Sequence, residues 1–197
     1  MGTLEEVMEK LLTPYLSAIH PCPSEILDEY VNSWTEVSYP RKSIITQAGQ
    51  VQRHIYFVIE GIQRSYFLHE AKEHVIAFTY PPSFTGIPES FWSQTPSRYY
   101  LETITPSRML RMSFEQHQDF MERYRPLETL FRKGTEYVFS GFVHRYVDLM
   151  AFDIESRFKQ FMERSPHLLH QIPHKDIASY LRIAPTNFSK LLGSVSI

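Results

Sequence analysis

Cysteine is almost absent from this chain, since Cys22 is the only one among 197 residues. A single cysteine excludes an internal disulfide, a zinc site built from cysteines and a cysteine-held iron–sulfur cluster. No apolar run approaches the ~20 residues that a membrane-spanning helix needs. The first ten residues are mostly polar and acidic, which argues against a secretory signal. Together these absences predict a cytoplasmic protein without a membrane partner.

A strong net charge is also lacking. The formal charge is −2, which disfavours a generally basic surface for nucleic acid. The charge is unevenly distributed, however, because residues 153–197 contain six Lys and Arg against four Asp and Glu. The last segment is therefore mildly basic while the preceding body is acidic, an asymmetry that is consistent with a DNA-binding C-terminal end.

Catalytic signatures are missing from the sequence. Only seven glycines are present, and they form neither a Gly-rich phosphate loop nor a nucleophile elbow. Glu89 and Glu102 are the candidates for a carboxylate pair, but no pattern in the sequence places them together. We therefore predict that the protein is not an enzyme and carries no cofactor.

A histidine cluster is the one candidate metal site. His167, His170 and His174 are spaced by three and four residues, as imidazoles that share a helical face and bind zinc would be. Pro166 and Pro173 bracket them and interrupt a regular helix through all three. We favour a solvated connector here and predict no metal.

What the sequence does contain is a change of pattern along its length. Helices are predicted at Glu5–Tyr15, with Val7, Leu11 and Leu12 inward, and at Glu25–Trp34, with Ser24 as N-cap. From Thr35 to Met112, short β-branched and aromatic runs alternate with Gly, Pro and Ser, which suggests an antiparallel barrel or roll. The predicted strands are Ser43–Thr46, Ile55–Ile59, Ile62–Phe67, Val75–Thr79, Tyr99–Ile104 and Met109–Met112, with turns at Gly49, Gly61 and Pro81-Pro82.

Helical periodicity resumes after Ser113. The predicted helices are Phe114–Tyr124, which ends at Pro126, then Leu127–Phe152, and then Ile154–Met162, with Ile154, Phe158 and Phe161 inward. The second of these is long for a globular protein.

The long helix has two apolar stripes and so needs two packing partners. One stripe is Leu127, Leu130, Gly134, Tyr137 and Gly141, and the other is Phe131, Val138, Phe142, Leu149 and Phe152. One partner is the roll, and we predict that the other is the same helix of a second subunit. The alternative is that both stripes are buried within one subunit. The candidate interface residues are Leu130, Gly134, Val138, Gly141, Phe142 and Leu149.

Two short helices, each opened by a proline, are predicted between Ile172 and Leu192. The first has Ile177, Ala178 and Leu181 on one face. The second has Phe188, Leu191 and Leu192 on one face, and only Arg182–Ala184 connect the two. This arrangement predicts a helix-turn-helix, whose second helix enters the DNA major groove. A helical hairpin that only packs is the alternative.

The whole order of elements resembles the Crp/Fnr regulators. The resemblance is carried by residues 56–64 (YFVIEGIQR), which look like the family's strand–glycine–strand signature, by residues 84–86 (FTG), where its phosphate-binding cassette begins, and by the helix pair from Ile177 to Lys190. It implies an α+β protein with an antiparallel, jelly-roll-like double-stranded β-helix as sensor domain. Residues 1–150 would be that domain with its dimer helix (about 127–152), and residues 151–197 the DNA-binding domain.

The resemblance also locates a ligand site, and the sequence departs from the family there. Nucleotide-binding members have Gly-Glu for the ribose and a later Arg for the cyclic phosphate. Here Ile87 follows Gly86, Glu89 comes two residues late, and Ser97 takes the Arg position with Arg98 one residue beyond, while Tyr99 replaces a small residue. A one-residue slip turns a strand side chain to the other face. Cyclic AMP is therefore not expected, and another small-molecule effector or an empty, packed roll remain as alternatives.

The resemblance finally implies a function for the exposed side of the helix pair. Lys175, Thr186, Asn187, Ser189 and Lys190 are the candidate DNA contacts, to bases or to phosphates. We predict a homodimeric transcription regulator that binds a palindromic operator in double-stranded DNA. The alternative is a ligand-binding or protein-interaction roll whose C-terminal helices are a vestige that no longer binds DNA.

Overall fold

The computed structural model describes Glu6 and residues 8–194. A π-helical turn, Met8–Leu12, leads into α1 (Thr13–Ile19) and then α2 (Ser24–Asn32). The strands are β1 (Thr35–Tyr39), β2 (Ile44–Thr46), β3 (His54–Glu60), β4 (Gln63–His69), β5 (Lys72–Thr79), β6 (Ser83–Thr85), β7 (Tyr100–Thr103) and β8 (Ser107–Ser113), with α3 (Pro88–Ser93) between β6 and β7. Glu5 and Val7 of the first predicted helix lie outside the described residues.

The helices after β8 follow the predicted order, with one short additional helix. They are α4 (Phe114–Arg123), α5 (Arg125–Ala151), α6 (Ile154–Arg164), α7 (Leu168–Gln171), α8 (His174–Leu181) and α9 (Pro185–Ser194). The helix α4 begins with a capping box, in which Ser113 Oγ accepts a hydrogen bond from the Gln116 N–H. No helix of the described part is long and apolar enough to cross a membrane.

The strands form two antiparallel sheets that make the predicted roll. Their orders are β1-β8-β3-β6 and β2-β7-β4-β5. Opposite residues of paired strands lie on the same face of a sheet. In the first sheet, Tyr56 pairs with Arg111 on one face and Phe57 pairs with Leu110 on the other. The fold class predicted from the sequence is confirmed.

One hydrophobic core lies between the first sheet and the flanking helices. Phe57 and Leu110 contribute to it from the sheet. The helices contribute the fully buried Leu12, Leu16, Tyr30, Leu127 and Leu130. Leu130, predicted at the dimer interface, is therefore inside its own subunit, and this corrects the prediction.

A second core joins the C-terminal helices to the roll. Ile62 and Ile104 of the roll belong to the same cluster as Phe158, Phe161, Ile177 and Phe188. The inward faces predicted for α6, α8 and α9 are confirmed for Phe158, Phe161, Ile177, Ala178, Leu181, Phe188 and Leu191, while Leu192 is half-buried.

Several local predictions need correction. Ser24 is the first residue of α2, and Pro23 holds the cap position without a side-chain hydrogen bond. Pro173 likewise precedes α8 as its cap and does not open it. The elements β1, β6, α3 and α7 were not predicted. The strand β6 has three residues, α3 has six and α7 has four, which is too short for the hydrophobic period of a strand or helix to be recognised. The strand β1 lies at a sheet edge and has little burial.

Candidate functional site

The residues predicted to hold a ligand differ in burial, since some are inside the protein and others are exposed. Ile87 is buried at the start of α3, where it packs as a hydrophobic residue. Glu89 is exposed in the first turn of that helix, so its carboxylate points away from the roll interior. Arg98 is exposed, with its guanidinium carbon 5.8 Å from the Phe67 ring centroid. Glu89 and Arg98, the two charged residues predicted for the cassette, are therefore both exposed to solvent.

Ser97 and Tyr99 form a local turn. The Tyr99 N–H donates to Ser97 Oγ over 2.9 Å, and Ser97 Oγ lies 3.0 Å from the Tyr99 carbonyl oxygen. The serine is buried, and its hydroxyl is occupied by the backbone of its own segment. The position at which the family resemblance places a phosphate-binding arginine therefore has a structural role here.

Gln52, which was not among the residues predicted for the cassette, is buried next to Gly86. Gln52 is 1% exposed, and its Oε1 accepts from Thr46 Oγ1 over 2.6 Å while its Nε2 donates to the His54 carbonyl over 2.6 Å. A Cβ added at Gly86 would lie 3.6 Å from that Nε2. The Gln52 side chain is therefore in contact distance of the position that a side chain at Gly86 would occupy.

Further hydrogen bonds join the cassette to the segment around Gln52. The Gln52 N–H donates to Ser90 Oγ over 2.9 Å, the Ser97 N–H donates to the Gln50 carbonyl over 2.8 Å, and the Gly49 N–H donates to the Ser97 carbonyl over 2.8 Å. No sequence pattern marks Gln52 or Ser90, because each is an ordinary polar residue in a stretch that is read as loop.

Two cavities occur elsewhere on the described residues. One, of about 540 Å³, lies between turns of the roll and the C-terminal part, where Tyr80 and Pro81 face His167 and Gln171. The other, of about 350 Å³, is lined by Thr46, Arg53, His54 and Tyr56 among others. None of the six predicted ligand residues lines either cavity.

The C-terminal helices α8 and α9 are joined by a tight turn, which is consistent with the predicted helix-turn-helix. Arg182 ends α8 in a left-handed conformation (φ 53°), and the Ile183 N–H donates to the Ala178 carbonyl over 2.9 Å, so the chain turns sharply into α9. The candidate DNA contacts Lys175, Thr186, Asn187, Ser189 and Lys190 are all exposed. Ser189 Oγ also donates to the Pro185 carbonyl over 3.1 Å.

The three histidines near the helix pair have separate surroundings. The His167 ring lies 4.6 Å from that of Tyr80, and His174 Nε2 lies 3.2 Å from the Leu169 carbonyl oxygen. Within the described ranges, no three His, Cys, Asp or Glu side chains form a group that could hold a metal ion.

The long helix α5 exposes most of the apolar side chains of its second half. Gly134, a predicted interface residue, instead faces Ile19 of the same chain, 3.6 Å from where its Cβ would be. Beyond it, Val138, Gly141 and Phe142 are exposed and Leu149 is half-buried. The large exposed apolar residues of this segment are Tyr137, Val138, Phe139, Phe142, Val143, Tyr146, Val147, Met150 and Phe152.

Comparison with known proteins agrees with this architecture. The sequence model of the cyclic nucleotide-binding domain matches residues 36–124. FixK2 from Bradyrhizobium japonicum superposes with a TM-score of 0.70 at 18% identity, over 81% of this chain and 83% of that chain. The chain has the Crp/Fnr regulator fold. This confirms the fold that the family resemblance implies.

Other Crp/Fnr structures superpose over similar lengths. A CooA mutant from Carboxydothermus hydrogenoformans gives a TM-score of 0.65 at 15% identity, over 86% of this chain and 82% of that chain. The c-di-GMP responsive regulator CLP from Xanthomonas campestris gives 0.64 at 15% identity, over 87% and 90%. No curated protein sequence matches the chain.

Proposed function

We propose that this protein is a transcription regulator of the Crp/Fnr type and not an enzyme, and that its C-terminal helix pair binds double-stranded DNA. The observation that carries the proposal is the division of α9 into two faces. Phe188 and Leu191 anchor one face in the second core, while the opposite face presents Thr186, Asn187 and Lys190 to solvent. A helix held in this way can enter a major groove without losing its packing.

DNA binding is tested by titrating affinity for a selected operator against salt. Phosphate contacts make the logarithm of affinity fall steeply with the logarithm of salt concentration. If Lys190 reads a base, Lys190→Ala costs roughly 1–3 kcal/mol per half-site, and if it binds a phosphate, the salt slope falls by about one unit per contact. We favour the phosphate contact, because one exposed cation on α9 is a limited reader of sequence.

The control is Lys72→Ala, which removes an exposed lysine from the β4–β5 hairpin of the roll. It should leave affinity and salt slope as in the wild type. If Lys190→Ala also changes neither, α9 is not a recognition helix, and the interaction-module alternative takes its place.

We further propose that the protein acts as a homodimer through the exposed half of α5. Its large apolar side chains recur at three- and four-residue steps, as in Phe139, Phe142, Tyr146 and Met150. A contiguous apolar surface of this kind marks an interaction site, and a second copy of the same helix supplies a complementary face.

We also propose that the sensor roll does not respond to cyclic AMP. The supporting features are the buried Ile87, the outward Glu89 and Arg98, and the side chain of Gln52 under Gly86. An effector of another kind would then use a different part of the roll, and the two cavities described above are candidate places for it.

A further inference from the structure

Arg64 of β4 is a buried cation at the seam between the roll and the helix pair. Its side chain is 8% exposed, and its guanidinium carbon lies 4.5 Å from the Tyr66 ring centroid. Nε and Nη2 both donate to Glu102 Oε2, over 2.9 and 2.6 Å, and Nη1 lies 2.7 Å from Glu73 Oε2. Two strands of the same sheet therefore hold the guanidinium in a fixed orientation.

The remaining partner of Arg64 comes from the helix pair. Nη1 donates to Asp176 Oδ1 over 2.9 Å, and the Asp176 side chain is 7% exposed. Burial raises the pKa of the Asp176 carboxyl, and the charge of Arg64 opposes that rise. As long as α8 is packed on the roll, Asp176 needs the Arg64 cation, because a buried carboxylate without its cation would carry a large desolvation cost.

The edge of β5 supplies a second set of contacts to the same helix. β5 is the last strand of its sheet, so the backbone groups on its outer side lack a partner strand. Ser179 Oγ accepts from the Val75 N–H over 3.0 Å and donates to the Glu73 carbonyl over 3.1 Å. The helix α8 thus covers the strand edge with hydrogen bonds that need a defined position along it.

Arg145 ties the long helix into the same seam. Its guanidinium carbon lies 3.7 Å from the Tyr180 ring centroid, Nη2 donates to the Tyr180 carbonyl over 2.8 Å, and Nη1 donates to the Ile76 carbonyl. The helix α5, the strand β5 and the helix α8 therefore meet at one guanidinium. The recognition face of α9 takes no part in these contacts and stays exposed.

We propose that Arg64, Asp176 and Ser179 form a latch that fixes the orientation of the helix pair on the sensor roll, with Arg64 as the positioning residue. The part of this inference that concerns DNA rests on the function proposed above. Because the latched helix pair presents α9 to solvent, the latch pre-organises it for binding. Opening the latch frees the pair to rotate, and the entropy of re-ordering it then lowers operator affinity.

Arg108 offers a matched control on the other sheet. Its side chain is also 8% exposed, and it pairs with Glu36 at 2.7 Å and with Glu60 at 3.6 Å. Both partners belong to the roll. Arg108→Met therefore removes a comparably buried cation of the roll without removing a contact to α8.

The first measurement is hydrogen exchange in the full-length protein without DNA. Arg64→Met should accelerate exchange of the Val75 amide about tenfold, whereas Arg108→Met should not, and Arg64→Lys should lie between wild type and Arg64→Met. If Arg64→Met fails to fold, Asp176→Asn replaces it, because asparagine keeps the shape of the side chain. Asp176→Asn should also accelerate exchange of the Val75 amide about tenfold. An unchanged Val75 exchange rate in a folded Arg64→Met or Asp176→Asn protein would overturn the latch.

The second measurement is operator affinity at fixed salt. Arg64→Met and Asp176→Asn should weaken binding about tenfold while Arg108→Met leaves it unchanged. Tighter binding by the latch variants would overturn the pre-organising role, because the latch would then restrain DNA binding. If the wild type binds no DNA, the proposed function fails, and the exchange of Val75 still decides separately whether the latch exists.

Discussion

At the scale of single residues, neighbours decide what an amino acid does in this protein. Gly49 and Gly61 both occupy a left-handed conformation, with φ of 89° and 90°. A Cβ at Gly49 would meet nothing within 4 Å, whereas at Gly61 it would lie 2.8 Å from Ser107 Cα and closer still to the Pro106 carbonyl oxygen. The two glycines look alike as turn signals, but only Gly61 is also required by close packing.

These glycines give a matched pair of substitutions. Gly49→Ala should lower the free energy of unfolding by about 1–2 kcal/mol, because an alanine at this φ is strained. Gly61→Ala should lower it by roughly 1–3 kcal/mol more, because the new methyl group also collides with backbone. Urea denaturation of both variants measures the difference, and equal losses would show that the turn at Gly61 relaxes freely.

His117 is a second residue whose surroundings determine its chemistry. It is fully buried among Phe91, Trp92 and Phe131, and its Nδ1 lies 3.0 Å from the Tyr30 hydroxyl. Its Nε2 has no hydrogen-bond partner among the described residues. Burial lowers the pKa of His117 to about 4, so the imidazole is neutral in the folded protein at neutral pH.

This histidine predicts a loss of stability in acid. Below about pH 6.5, His117 is protonated in the unfolded chain but stays neutral in the folded protein. The free energy of unfolding therefore falls as the pH drops from 6.5 to 4, by about 3 kcal/mol in all. Above pH 6.5 both states are neutral and the histidine contributes no slope. Urea denaturation should show that the free energy of unfolding depends less on pH in His117→Gln than in the control His170→Gln. His170 is exposed, so its replacement should leave the pH dependence as in the wild type. Identical slopes would contradict the assignment.

At the scale of elements, α5 performs two tasks along its 27 residues. A helix of that length extends about 40 Å. Its beginning, at Leu127 and Leu130, is buried in the core beside the roll, and its second half exposes large apolar side chains. The apolar stripes in the sequence are real, but the tertiary structure divides them along the helix, so the earlier members are core and the later ones are free for a partner.

The dimer proposal makes a prediction for this element. Phe142→Glu should convert the dimer to a monomer in sedimentation, because a buried, unpaired carboxylate at a helix–helix seam is unfavourable. Leu68→Glu is the control, since Leu68 on β4 is 44% exposed and Phe142 is 43% exposed. A dimer mass for both variants would place the interface away from this stripe.

At the scale of the whole molecule, the two larger hydrophobic cores do not coincide with the two sequence regions. The second core takes Ile62 and Ile104 from the roll, and the latch adds Arg64 and Glu73, so the C-terminal helices are attached to the sensor over a wide surface. The helix pair is therefore in contact with the sheet of the roll, at Arg64, and with α5, at Arg145.

The response of the whole protein to cyclic nucleotide is the matching test. Calorimetry with cyclic AMP at millimolar concentration should give weak or no heat of binding, because Arg98 is exposed, Ser97 stands at the arginine position and Gln52 lies against Gly86. Gln52→Gly tests whether that side chain is the obstacle. Micromolar affinity in the wild type would contradict the proposal.

The sequence by itself determined the order and type of the long elements, because hydrophobic periodicity is a local property. It also predicted the inward faces of α8 and α9, since Ile177, Leu181 and Phe188 follow the helical period. Only the tertiary structure decided which apolar stripe of α5 is covered, that Gln52 occupies the cassette, and that Arg64 meets Asp176. These contacts join residues that are far apart in sequence, 112 positions in the last case, and no local pattern encodes which distant side chain will fill a given space.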